Sequence, residues 1–193
     1  MIKSETVELS NYTIKNIPGS SGRLDVISRC ILSALLGNDC FFKKTQIWIF
    51  LDKYGTYVFD SEKLNYHSFP KNELKLTDYF VELIRNKNCL ENIPNNPLLH
   101  VKISDTRIIN IIKEFLNKDF SIAILEEEGQ DFFEQINRIN HEKQVFIIGN
   151  QTGDFLDSEE LLELNLPKFN LGTKSYLASS IIRLINLHFK TNN

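Results

Sequence analysis

Hydrophobic residues recur at helical spacing directly after a break rich in glycine and serine, P-G-S-S-G at positions 18–22. Ser20 or Ser21 can cap the start of the predicted helix, and the Gly37-Asn38 pair suits its end. Apolar side chains three and four residues apart give this helix one buried face. They are Leu24, Ile27, Ile31, Ala34 and Leu35.

Dense apolar runs separated by turn residues predict strands in the first half of the chain. Helical spacing returns twice before residue 118, each time after residues that break regular structure. The predicted order is strand 46–51, turn 52–55, strand 56–59, helix 76–87, strand 98–103 and helix 104–117, the last capped by Ser104.

The last third of the chain alternates short apolar strands with turns that contain glycine. Such repetition predicts an α/β fold with a mostly parallel sheet, whose ligands bind beyond the carboxyl ends of the strands. The predicted order is strand 121–125, acidic turn 126–129, strand 144–148, turn 149–153, helix 157–164, strand 168–171 and helix 175–189.

Composition is that of a globular protein: 193 residues, 42% hydrophobic and 24% charged. No apolar run approaches the roughly 20 residues of a membrane helix, and we expect a cytoplasmic protein that does not bind membranes. The three cysteines lack metal-binding or redox spacing, which favours reduced and mostly buried thiols. The four histidines are scattered, so we expect no metal site.

Charge is unevenly distributed along the chain. Eleven acidic and two basic residues lie between positions 120 and 165, a net charge of −9, so that the rest carries +6 of the total of −3. A local basic surface is sufficient for an RNA enzyme. Arg23, Arg29, Lys43 and Lys44 could provide one.

Two segments match a known family. The first is P-G-S-S-G-R-L-D-V-I-S-R-C at positions 18–30, and the second is V-F-I-I-G-N-Q-T-G at positions 145–153. They resemble the archaeal tRNA pseudouridine N1-methyltransferases, and F-N-L-G at 169–172 followed by S-Y-L-A-S at 175–179 is similar to that family's final loop and helix. The resemblance extends over nearly the whole chain, although residues 38–103 match loosely.

The resemblance implies a SPOUT-class methyltransferase, one α/β domain over residues 1–193 with a C-terminal trefoil knot that binds the cofactor in about 120–193. It also implies a homodimer, S-adenosyl-L-methionine as cofactor and pseudouridine 54 in the T loop of tRNA as target. The three cofactor loops correspond to residues 125–129, 149–153 and 171–180. Their implied cofactor-binding residues are Leu125, Gly149, Gly153, Leu171, Gly172, Leu177 and Ser180.

Roles also follow for the first motif. N1 of pseudouridine carries a proton and is a poor nucleophile until that proton leaves, so a carboxylate that accepts it and a guanidinium that stabilises the developing charge both assist. The resemblance implies that Arg23 and Asp25 are catalytic and that Ser20, Ser21 and Arg29 contact RNA, with free N–H groups at the helix start suiting a phosphate. Spacing alone favours a plain cap and an Asp25–Arg29 ion pair.

The chain departs from the family pattern at three places. Asn150-Gln151 replaces an Asp-His pair, the stretch at 179–181 lacks the family's cysteine, and little precedes residue 13, so the N-terminal strand is expected to be nearly absent. Two alternatives therefore stand beside the tRNA enzyme. One is a degenerate paralogue that binds RNA or a partner protein without methyl transfer, and the other is an rRNA pseudouridine N1-methyltransferase.

Overall fold

The computed structural model describes residues 1–135, 143–149, 154–172 and 175–191. Within these ranges seven strands form one sheet in the order β4-β3-β2-β1-β6-β5-β7. The pairs β2-β3 and β3-β4 are antiparallel, and the other four are parallel, which confirms the predicted fold class. The strands are β1 (Ile2–Ser4), β2 (Gln46–Leu51), β3 (Gly55–Asp60), β4 (Lys102–Ser104), β5 (Ser121–Asp131), β6 (Gln144–Ile148) and β7 (Lys168–Asn170).

The N-terminal strand is present and central, so the expectation that it is nearly absent is wrong. Ile2 pairs with Ile49 of β2 on one side and with Ile148 of β6 on the other, and it is buried. Three residues are too few to show an alternating pattern, and neighbouring strands rather than local sequence hold this segment. β1 therefore joins the N-terminal half of the sheet to the C-terminal half.

Helices cover both faces of the sheet. α2 packs against α3 and α7 on one face, while α4 and α6 lie over the other face. Asn186 of α7 donates to the carbonyl oxygens of Ser33 and Ala34 at 3.0 and 3.1 Å, which fixes α7 against the end of α2. The helices are α1 (Ile17–Ser20), α2 (Leu24–Leu35), α3 (Glu73–Arg85), α4 (Ile108–Asn117), α5 (Phe132–Gln135), α6 (Glu159–Leu162) and α7 (Ala178–Thr191).

Several predicted boundaries are wrong for local reasons. The glycine-serine break contains a single helical turn, α1, with Pro18 in its first turn. Ser104 does not cap α4, because it is the last residue of the short strand β4 and pairs there with Thr56 of β3. α3 starts earlier than its apolar spacing indicates, since the Asn72 side chain caps it by accepting from the Lys75 N–H at 2.9 Å.

Residues 126–129 do not form a free turn but belong to β5. Leu125 and Gln130 both pair with Phe169 of β7, so the residues between them form a bulge in a longer strand. A Cβ at Gly129 would lie 2.5 Å from the Phe169 nitrogen, so only glycine permits this close approach. The acidic run is partly paired as well, because Glu126 lies 2.9 Å from the Lys168 ammonium.

Two of the three thiols are exposed, contrary to the expectation that most are buried. Cys40 and Cys89 lie at the surface, whereas Cys30 is buried in α2. Burial raises the pKa of the Cys30 thiol to about 12. Cys30 is therefore a packing residue rather than a nucleophile.

Candidate active site

The ends of three adjacent parallel strands bring the predicted cofactor residues to one edge of the sheet. Leu125 of β5 pairs with Ile148 of β6 and with Phe169 of β7. Gly149 directly follows β6, and Leu171 directly follows β7. Parallel strands expose their carboxyl ends at the same edge, so segments far apart in sequence converge there.

The described parts of this edge fit a bound nucleoside. Leu125 and Leu171 are buried apolar groups that can form walls. Gly172 has φ 110°, and a Cβ built on it would meet nothing within 4 Å, so its backbone faces open space. A Cβ at Gly149 would lie 2.6 Å from Leu156 Cδ1, so this glycine packs tightly against the Leu156 side chain.

Asn170, which the sequence comparison overlooked, connects two of these loops. Its side-chain amide donates to the carbonyl oxygen of Gly129 in the β5 bulge, and its amide oxygen accepts from the Gly172 N–H at 3.0 Å. One side chain thereby fixes the bulge relative to the turn after β7. Asparagine is common in turns, so its presence in the F-N-L-G segment did not predict this linking role.

The remaining predicted cofactor residues are more peripheral. Leu177 precedes α7 and is 52% exposed, an open apolar group beside the third loop. Ser180 lies in the first turn of α7, and its N–H donates to the Leu177 carbonyl oxygen at 2.8 Å. Gly153, with the Asn150-Gln151 pair, falls outside the described residues.

The first motif lies at the exit of β1. Because β1 is parallel to β6, this is the same edge of the sheet as the ends of the cofactor strands. The Thr6 hydroxyl donates to the Gly22 carbonyl oxygen at 2.9 Å, and the Glu8 N–H donates to the Ser21 carbonyl oxygen at 3.3 Å. A Cβ at Gly22 would lie 1.8 Å from the Thr6 oxygen, and Gly22 has φ 57°. Only glycine allows the chain to pass here, and β1 is the neighbour of the cofactor strand β6.

Arg23 and Asp25 form a pair at the start of α2. Arg23 has φ 69°, a left-handed backbone that is unusual outside glycine. Its Nε and Nη2 donate to Asp25 Oδ1 and Oδ2 at 3.2 and 3.4 Å. The Asp25 side chain is only 4% exposed and that of Arg23 is 56% exposed, so the guanidinium covers the carboxylate.

Arg29 belongs to the same cluster but is held from another helix. Its Nε and Nη2 donate to Glu73 Oε2 and Oε1 at 2.7 and 3.1 Å, a two-point pair with the first residue of α3. The hydrogen bond to Glu73 is the main cause of a raised pKa for the Arg29 guanidinium. Nη2 also lies 3.9 Å from Asp25 Oδ2, close enough for an ion pair but not for a hydrogen bond.

The serines before α2 are used within the chain, and the Ser21 N–H is not free, contrary to the expectation for that residue. Ser21 is fully buried, its hydroxyl accepts from the Leu24 N–H at 3.1 Å, and its own N–H donates to the Ile17 carbonyl oxygen. Ser20 is partly buried, and its hydroxyl accepts from the Thr13 N–H at 2.9 Å. Ser21 is thus a helix cap, and the exposed polar group of this turn is Arg23.

A cavity of about 190 Å³ lies near this edge but between other elements. It is lined by Lys3 of β1, Phe50 of β2, the start of α4 at Ile108, and Phe155 and Ser158 from the segment after the second cofactor loop. Among the residues that the structure describes, its lining includes none of the predicted cofactor residues.

Neither a metal centre nor a membrane span emerges from the part of the chain that the structure describes. Its acidic, cysteine and histidine side chains do not gather in threes that could hold an ion. Its helices are too short or too polar to cross a bilayer.

Comparison with known proteins decides the family. A family model described as "Putative SAM-dependent RNA methyltransferase" matches residues 1–193. The chain belongs to this family. Membership confirms S-adenosylmethionine as the cofactor and identifies an enzyme, as the first motif and the second loop had implied.

Individual relatives give the same result. The chain is 27% identical over 187 residues to a protein of Thermococcus onnurineus named tRNA (pseudouridine(54)-N(1))-methyltransferase, covering 92% of this chain and 89% of that one. It is 27% identical over 202 residues to a protein of the same name from Pyrococcus abyssi, covering 97% and 95%.

A solved structure shares the fold. Archaeoglobus fulgidus Nep1 bound to S-adenosylhomocysteine superposes with a TM-score of 0.62 at 17% identity, covering 89% of this chain and 71% of that one. At this identity the likeness concerns the fold. It confirms the SPOUT-type arrangement of a mostly parallel sheet flanked by helices.

Proposed function

We propose that the protein transfers a methyl group from S-adenosylmethionine to N1 of pseudouridine 54 in the T loop of tRNA. The observation that carries the proposal is the position of Arg23. An exposed guanidinium, held by a buried carboxylate, lies at the exit of β1. β1 pairs with β6, the strand that leads into the second cofactor loop. Relatives that match nearly the whole chain bear the name of this activity.

The chemistry divides between the two regions. Bound S-adenosylmethionine supplies an electrophilic methyl group. Leu125, Leu171 and the backbone at Gly172 would hold the cofactor and so fix the methyl donor relative to the target base. Arg23 donates to the C2 carbonyl oxygen beside N1 and stabilises the negative charge that the ring acquires when the N1 proton leaves.

Asp25 acts first through Arg23. Its carboxylate is almost inaccessible behind the guanidinium, so in this arrangement it orients Arg23 rather than meeting the target ring. It becomes a proton acceptor only when Arg23 moves aside to engage the base. A T-loop base must also leave its stack to reach the methyl group, as in other enzymes that modify nucleobases.

The single domain, its knot in about 120–193 and the homodimer belong to the same proposal, as does a cytoplasmic location with the tRNA pool. Exposed apolar groups just before α7 support dimerisation, because Tyr176 and Leu177 are 39% and 52% exposed. Light scattering at micromolar concentration should give twice the chain mass of 22.4 kDa. A monomer at that concentration would contradict the dimer.

The activity is tested with three RNA substrates of one length. A T-loop hairpin with pseudouridine at position 54 should acquire one methyl group, identified as N1-methylpseudouridine by mass spectrometry of the digested RNA. The hairpin with uridine at that position should remain unmodified, because its N1 is bonded to the sugar. Methylation of an rRNA hairpin in preference to the T loop would favour the rRNA alternative.

A further inference from the structure

Glu73 is remote in sequence from the first motif, yet it completes the motif's charge cluster. It is the first residue of α3, and its carboxylate binds both Nε and Nη2 of Arg29. Arg29 lies one turn after Asp25 on α2, with Nη2 3.9 Å from Asp25 Oδ2. Opposite charges therefore alternate in one series of neighbouring side chains: Arg23, Asp25, Arg29 and Glu73.

The Asp25 carboxylate can be approached by two guanidinium groups, and the structure favours one of them. Arg23 makes both hydrogen bonds to it, the longer at 3.4 Å to Oδ2. Arg29 stands within ion-pair range of that same oxygen and has its donors turned to Glu73 instead. Residues four apart on a helix are well placed to pair, so Arg29 would bind Asp25 if Glu73 were absent.

We propose that Glu73 is a positioning residue for methyl transfer, which keeps Arg29 from displacing Arg23 at Asp25. This inference rests on the proposed function, in which Arg23 contacts the target ring. Glu73 acts from a rigid site, because the hydroxyls of Thr77 and Ser28 meet at 2.8 Å one turn further along the buried α2–α3 contact. The α2–α3 packing thus determines which arginine the carboxylate holds.

The test is a cycle of four proteins: the parent, Glu73→Ala, Arg29→Gln and the double variant. Single-turnover methylation is measured at saturating RNA, so that weaker RNA binding does not affect the rate. Glu73→Ala should be slower by about 10- to 100-fold, the range expected when a reacting group is misplaced by about 1 Å. Adding Arg29→Gln should restore the rate to within about three-fold of Arg29→Gln alone, because the competitor is gone.

A merely structural ion pair gives a different result. Removing a partly exposed ion pair changes the stability of the fold only slightly and leaves the rate of the chemical step unchanged. Glu114→Ala is the matched control, because Glu114 pairs with Lys118 on α4, on the other face of the sheet. A Glu73→Ala rate within two-fold of the parent, or a double variant as slow as Glu73→Ala, would overturn the inference.

A second readout does not require activity. In a crystal structure of Glu73→Ala, Arg29 should hydrogen-bond Asp25 Oδ2, and Arg23 should have lost its bond to that oxygen. Arg29 in its parental position would overturn the inference even if the parent proved inactive. An inactive parent alone would instead contradict the proposed function, so the two failures are distinguishable.

Discussion

The first motif and the converging strand ends are built from different kinds of groups and are suited to different parts of the reaction. At the start of α2, charged side chains are held by other charged side chains, and the exposed Arg23 is ion-paired with the buried Asp25. At the ends of β5, β6 and β7, the site consists of backbone, glycine and leucine, with Asn170 joining two loops. The first arrangement suits control of charge during a reaction, and the second suits close contact with the flat adenine ring of the cofactor.

This contrast implies that the two regions fail separately. A change at a strand end should remove cofactor binding and, with it, every later step. A change at the start of α2 should leave cofactor binding unaltered and act on transfer alone. Backbone positions that support either region should act through stability instead.

The largest effect on cofactor affinity is expected at Gly172. A Cβ at this position meets nothing within 4 Å, so an arginine side chain would enter open space beside the end of β7. Gly172→Arg should therefore remain folded and lose S-adenosylmethionine binding by at least about 100-fold, or about 2.7 kcal/mol. Calorimetric titration measures the affinity, and circular dichroism checks the fold. Unchanged affinity would place the cofactor elsewhere.

Gly22 tests the backbone that supports the first motif. Gly22→Ala introduces a Cβ 1.8 Å from the Thr6 oxygen at a left-handed φ. Clash and strain together should lower the free energy of unfolding by about 2–4 kcal/mol. The melting temperature should then fall by roughly 5–15 °C for a chain of this length.

A matched alanine separates the two causes. Gly172→Ala also has a positive φ but nothing within 4 Å of the new Cβ, so it should lose only about 1 kcal/mol. Equal losses in the two variants would mean that the contact between Gly22 and Thr6 is not tight in solution.

A smaller, pH-dependent effect is expected at Glu8, in the segment between β1 and the first motif. The hydrogen bond from Lys53, with others from the Ser10 N–H and Tyr54, lowers the pKa of Glu8 from 4.5 to about 2. A lowered carboxylate pKa stabilises the fold above pH 4.5, and that contribution is lost as the pH falls from 4.5 towards 2.

Denaturant titrations of the parent and Glu8→Gln provide the check. The parent should be slightly more stable at neutral pH, and the difference should shrink as the pH falls below 4.5. The difference should also shrink in high salt, because Glu8 and Lys53 are solvent-exposed. A difference that is constant across this pH range would exclude the ion pair as its source.

Sequence patterns predicted the parallel sheet, α2 and most strand centres, because these depend on apolar spacing that is visible locally. They failed at β1, where three residues are held by two neighbouring strands, and at residues 126–129, where pairing with β7 turns an acidic run into a bulge. Glu73 could not be found from the sequence, because its role depends on how α3 packs against α2. For Ser21 the sequence allowed both a helix cap and an RNA contact, and only the structure shows that it is buried with its hydroxyl accepting from the Leu24 N–H.

The most direct test that the first motif and the strand ends act separately is Arg23→Ala. Cofactor affinity and single-turnover methylation of pseudouridine-54 RNA are measured on one preparation. S-adenosylmethionine affinity should stay within about two-fold of the parent, because the strand ends are untouched. The transfer rate should fall by about 10²- to 10³-fold, the loss typical when a donor that stabilises developing charge is removed. A variant that transfers the methyl group at nearly the parental rate, or that loses the cofactor together with activity, would contradict the account.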